Sequence, residues 1–196
     1  MVSAIVMAAG LSSRMGEQNK LLLPFKNKSI IETTIANIIG AGMEEIIIVL
    51  GHEADKIKNA IIDLPVKTIY NPDYKNGLTG TIQQGIRQAK GNGFMLCLSD
   101  MVLINSGEYK KIKDAFEKQV FIDPHCICVP VYNGQKGNPV LFSSNYKEKI
   151  LSEKEKEGCK GIVQANKENI FMVEMQTSHV LQDIDSLDDY NKLILK

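Results

Sequence analysis

Ala4-Ile5-Val6-Met7-Ala8-Ala9-Gly10-Leu11-Ser12-Ser13-Arg14-Met15-Gly16-Glu17-Gln18-Asn19-Lys20 passes from an apolar run through a loop of small residues to two cations. The apolar run reads as a buried strand, because short runs of this kind without polar alternation suit a sheet covered on both faces. The small residues let backbone amides come close to phosphate oxygens, and Arg14 and Lys20 can neutralise their charge. In outline this is a triphosphate cradle. No Gly-Lys-Ser/Thr follows the glycines and the spacing is not that of the dinucleotide fingerprint, so a Walker-type ATPase and a dehydrogenase lose support. A surface loop with solvated charges would have the same composition, since Gly/Ser-rich turns are common.

Outward from this loop, three more apolar runs alternate with helical patterns: Ile46-Ile47-Ile48-Val49-Leu50, Val66-Lys67-Thr68-Ile69-Tyr70 and Phe94-Met95-Leu96-Cys97-Leu98. Alternation of this kind implies βα units and a mostly parallel sheet. Ile31, Ile35, Ile38 and Ile39 fall at helical spacing, with Ser29 and Glu32 as a capping box and Gly40 and Gly42 as the stop. A second helix fits Asp55 to Ile61. A third starts near Thr79 or Thr81, places Ile82, Ile86 and Ala89 on one face and ends at Gly91. The second half predicts a helix around Tyr109 to Phe116 and a strand around Cys126 to Val131. A hairpin-like insertion leads into Pro139-Val140-Leu141-Phe142. A charged helix over Ser144 to Glu157, a strand over Phe171 to Met175 and a last helix from Ser186 follow. Loops after parallel strands gather at one edge of the sheet, where open α/β folds bind ligands.

The 196 residues fit one compact domain, 1–196, with a sizeable core. Lys plus Arg and Asp plus Glu each total 23, a balance that argues against a nucleic-acid or membrane-surface binder and leaves a small molecule as the expected partner. With no signal pattern and no apolar run of spanning length, the chain reads as cytoplasmic. Cys97, Cys126, Cys128 and Cys159 lack CxxC spacing and read as free buried thiols.

The full opening motif resembles the signature of the MobA-like nucleotidyltransferases, the family that includes molybdenum cofactor guanylyl- and cytidylyltransferases. Ala8, Ala9, Gly10, Ser13, Arg14, Met15, Gly16 and Lys20 match its pattern of Ala-Ala-Gly or Ala-Gly-Gly, then Ser-x-Arg-Met-Gly, then Lys before an apolar run and Pro. Three further segments extend the resemblance to Tyr190. Asn71-Pro72-Asp73-Tyr74-Lys75-Asn76-Gly77-Leu78-Thr79-Gly80-Thr81 is similar to the cytidylyl branch, with Thr81 in place of Ser. Ser99-Asp100-Met101 is similar to its metal motif, with Val102 in place of Pro. Asp183-Ile184-Asp185-Ser186 is similar to its late acidic segment.

The resemblance implies a three-layer α/β/α Rossmann-like nucleotidyltransferase fold with a mostly parallel sheet and a small β insertion. It implies that Ala8, Ala9, Gly10, Leu11, Ser12, Ser13, Arg14 and Lys20 bind the nucleotide, together with Gly77, Leu78 and Thr81. A hydroxyl at the position of Thr81 can equally serve as a helix cap. Arg14, Lys20 and Asp100 take catalytic roles, and Asp100 and Asp185 are the expected ligands of Mg²⁺. Asp183 either orients Asp185 or meets solvent, while Ser186 and Asp189 read as helix capping.

The implied reaction moves CMP from CTP to a phosphorylated acceptor, molybdenum-loaded molybdopterin, with release of pyrophosphate and with contact to a molybdoenzyme as a further implied partner. Ala8-Ala9-Gly10 favours CTP over GTP, being the form of the cytidylyl branch. Asn138 stands where the family has His before Pro-Val-Leu-Phe and is the expected acceptor contact; it cannot become cationic as His can. Gly158-Cys159-Lys160-Gly161-Ile162-Val163 lacks the Asp and Arg of the corresponding family segment. Two other readings stand beside this one: a different small-molecule cytidylyltransferase, such as the methylerythritol phosphate enzyme, and a nucleotide-binding sensor without turnover.

Overall fold

The computed structural model describes residues 1–12 and 18–195; the expectations for Ser13 and Arg14 lie outside the described residues. Along the chain, β1 (Val2–Ala8) leads through the short strands β2 (Pro24–Phe25) and β3 (Lys28–Ser29) to α1 (Ile30–Gly40). Next come β4 (Glu45–Leu50), α2 (Ala54–Ala60), β5 (Lys67–Tyr70), α3 (Leu78–Gln88), β6 (Gly93–Leu98) and α4 (Ser106–Gln119). The second half contains β7 (Ile127–Tyr132), β8 (Gln135–Lys136), β9 (Val140–Ser143), α5 (Lys147–Leu151), α6 (Lys160–Ala165), β10 (Ile170–Glu174) and α7 (Leu187–Ile194).

The large sheet runs in the order β10-β7-β9-β6-β1-β4-β5, and β8 folds back onto β7 as the small β insertion. β1 pairs in parallel with β4 on one side and β6 on the other, so the strand order reverses about β1. β1 is buried along its whole length. Ala4 and Val6 face a core made with Ile31, Ile35 and Ile38 of α1 and Tyr109, Ile112 and Phe116 of α4. Ile5 and Met7 face the other side, packing with Ile82 and Ile86 of α3 and Ile150 of α5. These two cores, one on each face, make the three layers. α3 comes so close to β1 that a Cβ on Gly85 would lie 2.2 Å from Ile5 Cγ2. All four cysteines are free and buried.

Local chemistry explains most boundaries. The Ser29–Glu32 capping box opens α1, and Asn105–Glu108 and Ser186–Asp189 boxes open α4 and α7. Three features differ from the sequence expectation. α3 begins at Leu78, one residue after Gly77, whose φ of 115° makes the turn into the helix. The charged helix expected over residues 144–157 stops at Leu151, where Gln83 Nε2 donates to the carbonyls of Ile150, Leu151 and Glu153 at 3.0, 3.2 and 2.9 Å. A side chain from α3 thus takes up carbonyls at the helix end, in the way that caps do. Finally, β9 is an internal strand, antiparallel to both β6 and β7. Leu141 and Phe142 serve opposite cores, as suits a short apolar run covered on both faces.

Candidate active site

The reversal of strand order at β1 directs attention to the carboxyl ends of β1 and β6, the usual ligand position in open α/β sheets. Lys20 opens a single 3₁₀ turn, Lys20–Leu22, held by Asn19, whose side chain accepts from Leu21 N at 3.1 Å, and by buried Leu21. The Lys20 amide reaches Ser12 Oγ at 3.4 Å. At the end of β6, Ser99 Oγ donates to Met7 O at 2.6 Å and ties the two strand ends together, leaving Asp100 at the rim.

Lys20 Nζ donates to Asp100 Oδ2 at 2.5 Å and to Asp185 Oδ1 at 3.2 Å. These partners lie 80 and 165 residues away along the chain, so only the finished fold makes the contact. Asp183 joins them: ligand atoms of Asp100, Asp183 and Asp185 all lie within 4.8 Å of one another. Ile184 between the last two is 4% exposed and anchors the segment in the core.

The electrostatics follow from this crowding. Burial pulls the Lys20 ammonium down, but the charges and hydrogen bonds of Asp100 and Asp185 outweigh it, and its pKa is raised overall. Asp183 is raised by loss of water around it and by the charges of Asp100 and Asp185, which Lys20 only partly offsets. Three carboxylates around one ammonium leave an excess of negative charge and oxygen donors, a set that could hold a hard divalent cation.

Of the other residues singled out in the sequence, Ala8 and Ala9 are buried, and Ala9 O accepts from His52 N at 3.3 Å. Gly10 is exposed, with no described residue within 4 Å of where a Cβ would stand, Leu11 is 45% exposed and Ser12 has a φ of 51°. Gly77 and Leu78 meet another part of the protein: Leu78 N donates to Lys156 O at 3.0 Å, and a Cβ on Gly77 would lie 2.8 Å from the same oxygen. Thr81 is buried and accepts from Asn71 Nδ2 at 3.1 Å, so it braces the loop after β5. Asn138 lies at the foot of β9, and its amide donates to Val180 O at 2.9 Å. Beside Asp183 a cleft of about 980 Å³ opens between the β2–β3 hairpin and α7, with Phe25, Lys26, Val102, His179 and Leu193 in its wall.

Sequence reasoning left Asp183 between two roles and passed over Glu108 and Thr177. The signal available for Asp183 was its i, i+2 spacing from Asp185 about an apolar residue. Glu108 offered only its place in a capping box.

Residues 4–170 match the MobA-like NTP transferase domain. Over 191 residues the chain is 27% identical to the molybdenum cofactor cytidylyltransferase of Escherichia coli (strain K12), which covers 96% of this chain and 93% of that protein. Among solved structures, a nucleotidyl transferase from Methanothermobacter superposes with a TM-score of 0.84 at 21% identity, over 98% of this chain and 95% of that one. A Mycobacterium tuberculosis H37Rv protein in complex with manganese superposes with a TM-score of 0.76 at 21% identity, over 100% of this chain and 98% of the other. At these identities the structural likeness speaks for the fold.

Proposed function

The chain belongs to the MobA-like NTP transferase family, and from that premise we propose that it is a cytidylyltransferase that moves CMP from CTP to a phosphorylated acceptor, molybdenum-loaded molybdopterin. The observation that carries the proposal is the junction of Lys20 with Asp100 and Asp185 at the carboxyl ends of β1 and β6. The likeness to the Escherichia coli cytidylyltransferase over nearly the whole chain supports the choice of nucleotide and acceptor.

An oxygen of the acceptor's phosphate monoester attacks the α-phosphorus in line. A new P–O bond forms as the bond to the β-phosphate oxygen breaks, and pyrophosphate leaves. The second pKa of such a monoester is about 6, so the attacking oxygen is ionised near neutral pH and no general base is needed. Positioning and charge stabilisation supply the rate. Lys20 meets the developing charge, and Asp100 and Asp185 hold its ammonium at the strand ends. Asp100, Asp183 and Asp185 would hold Mg²⁺, which when bound supplies charge neutralisation at the phosphates. The manganese complex of the Mycobacterium tuberculosis neighbour supports a divalent cation.

The test is Mg²⁺-dependent pyrophosphate release from CTP and from GTP, each with and without molybdenum-loaded molybdopterin, with Asp100→Ala as control. Acceptor-dependent release from CTP that the variant lacks is the expected result. Release from GTP alone overturns the base preference. CTP binding without turnover overturns the molybdopterin assignment, and a phosphorylated polyol becomes the next acceptor to try.

A further inference from the structure

The acidic limb has no regular structure over residues 182–185, so the placing of its two carboxylates depends on buried Ile184 between them and on what pins it at either end. At its far end the Ser186–Asp189 capping box starts α7, with Ser186 N donating to Asp189 Oδ2 at 2.9 Å. At its near end stands a 3₁₀ turn, Ser178–Leu181, whose Val180 is fully buried. That turn is held from two sides. Asn138 N donates to Val180 O at 2.9 Å on one. On the other stands Glu108.

Glu108 collects three donors. Thr177 Oγ1 donates to Oε1 at 2.5 Å, while Asn105 N at 2.9 Å and His179 Nδ1 at 3.0 Å meet Oε2. An ionised carboxylate only accepts, which assigns the proton to His179 Nδ1. The side chain is 11% exposed. A comparison within the molecule separates this from ordinary capping: Glu32 occupies the same place in the box of α1 and turns its carboxylate to Ser29, three residues away. Glu108 caps Asn105 in the same way and in addition spans 69 and 71 residues to the near end of the limb.

We infer that Glu108 is a positioning residue, which sets the limb so that Asp183 and Asp185 converge with Asp100 on one cation. This rests on the reading above that the three carboxylates hold a divalent ion. Supporting groups around metal ligands commonly carry a 10–100-fold share of metal affinity.

Glutamine serves a capping box as well as glutamate but is uncharged and has one acceptor oxygen in place of two, so Glu108→Gln keeps the start of α4 and weakens the charge-assisted hold on the limb. The experiment is Mn²⁺ binding to the full chain, followed by the electron paramagnetic resonance of free Mn²⁺, with thermal melting alongside. The set comprises wild type, Glu108→Gln, Thr177→Val, Asp185→Asn and Glu32→Gln. Glu108→Gln is expected to weaken Mn²⁺ binding roughly tenfold, with Thr177→Val acting in the same direction and Glu32→Gln having no effect. In turnover, the Mg²⁺ needed for half-maximal rate rises in the same proportion while KM for CTP at saturating Mg²⁺ stays put. If Glu108→Gln binds Mn²⁺ like wild type while Asp185→Asn loses it, the positioning role is wrong and the metal site stands. If Asp185→Asn also binds like wild type, or wild type does not bind, the metal reading falls and takes this inference with it. Should Glu108→Gln not fold, Thr177→Val, which leaves the Glu108 carboxylate and the α4 capping box intact while removing the Thr177 bonds to Glu108 and to His179 N, decides by the same criterion.

Discussion

In the proposed reaction Lys20 meets two demands, one for a mobile charge to face a phosphate and one for a fixed place to face it from. The bonds to Asp100 and Asp185 satisfy the second and keep the ammonium charged despite its partial burial. Lys20→Met is therefore expected to lower kcat by roughly 10²–10³-fold, as removal of one preorganised donor does, with the fold retained by circular dichroism. Asp183 makes the opposite point about stability. Its pKa is raised, first by burial and then by Asp100 and Asp185, so its ionised form costs the folded state free energy without a bound cation. Asp183→Asn should raise the melting temperature of the metal-free protein at neutral pH and weaken Mn²⁺ binding. The stabilisation should vanish as pH falls below the ordinary carboxyl value of 3.8, where Asp183 is protonated in both folded and unfolded chains. A metal-free variant that melts no higher would show that the three carboxylates do not strain one another.

Behind the rim, two helix contacts are sharply testable. α3 crosses β1 at Gly85, where a Cβ would meet Ile5 Cγ2, a fully buried atom with little freedom to yield. Gly85→Ala is expected to cost about 1–3 kcal/mol by overpacking, seen as a lower melting temperature, although alanine is the better helix former. At the start of α4, Glu108 feels burial most, which alone would raise its pKa. The bonds from Thr177, Asn105 and His179 outweigh it and lower the pKa below 4.5. A lowered carboxyl pKa contributes stability above the unfolded value and loses it as pH falls through the folded one. Acid melting curves of Glu108→Gln should thus be flatter than those of wild type below pH 4.5. Such elements were readable where their causes are local. The Ser29–Glu32 box and the isoleucine spacing of α1 lie in adjacent residues, and the Asp100 and Lys20 motifs are contiguous strings. The early end of α5 was not readable, because the group that takes up its last carbonyls is Gln83, on another helix. Glu108 was hidden for the same reason: its cap is local, but its tie to Thr177 is not.

Taken whole, the molecule gathers its candidate site from residues 20, 100, 183 and 185, and ligands that bridge them should stabilise all of it together. CTP with Mg²⁺ at a hundred times the dissociation constant is expected to add about 2.7 kcal/mol, or roughly 5–10 °C in Tm. Asp100→Ala and added EDTA should each remove most of that gain; a gain that persists with EDTA would point to nucleotide binding independent of the cation. The parallel half of the sheet was legible from its run of βα units, whereas the place of β9 was not, since a short apolar run carries no mark of its neighbours. That strand has a further consequence, one of time. β6 has β1 on one side and waits for β9 on the other, so a growing chain presents an unfinished sheet edge until residues 140–143 arrive. Lys20 and Asp100 are made before Asp183 and Asp185, and until the later two emerge the pair has no limb to close on. A nascent chain of this protein consequently lacks the assembled cluster until residue 185 has been added, and its β6 stands half-paired until residue 143 has emerged.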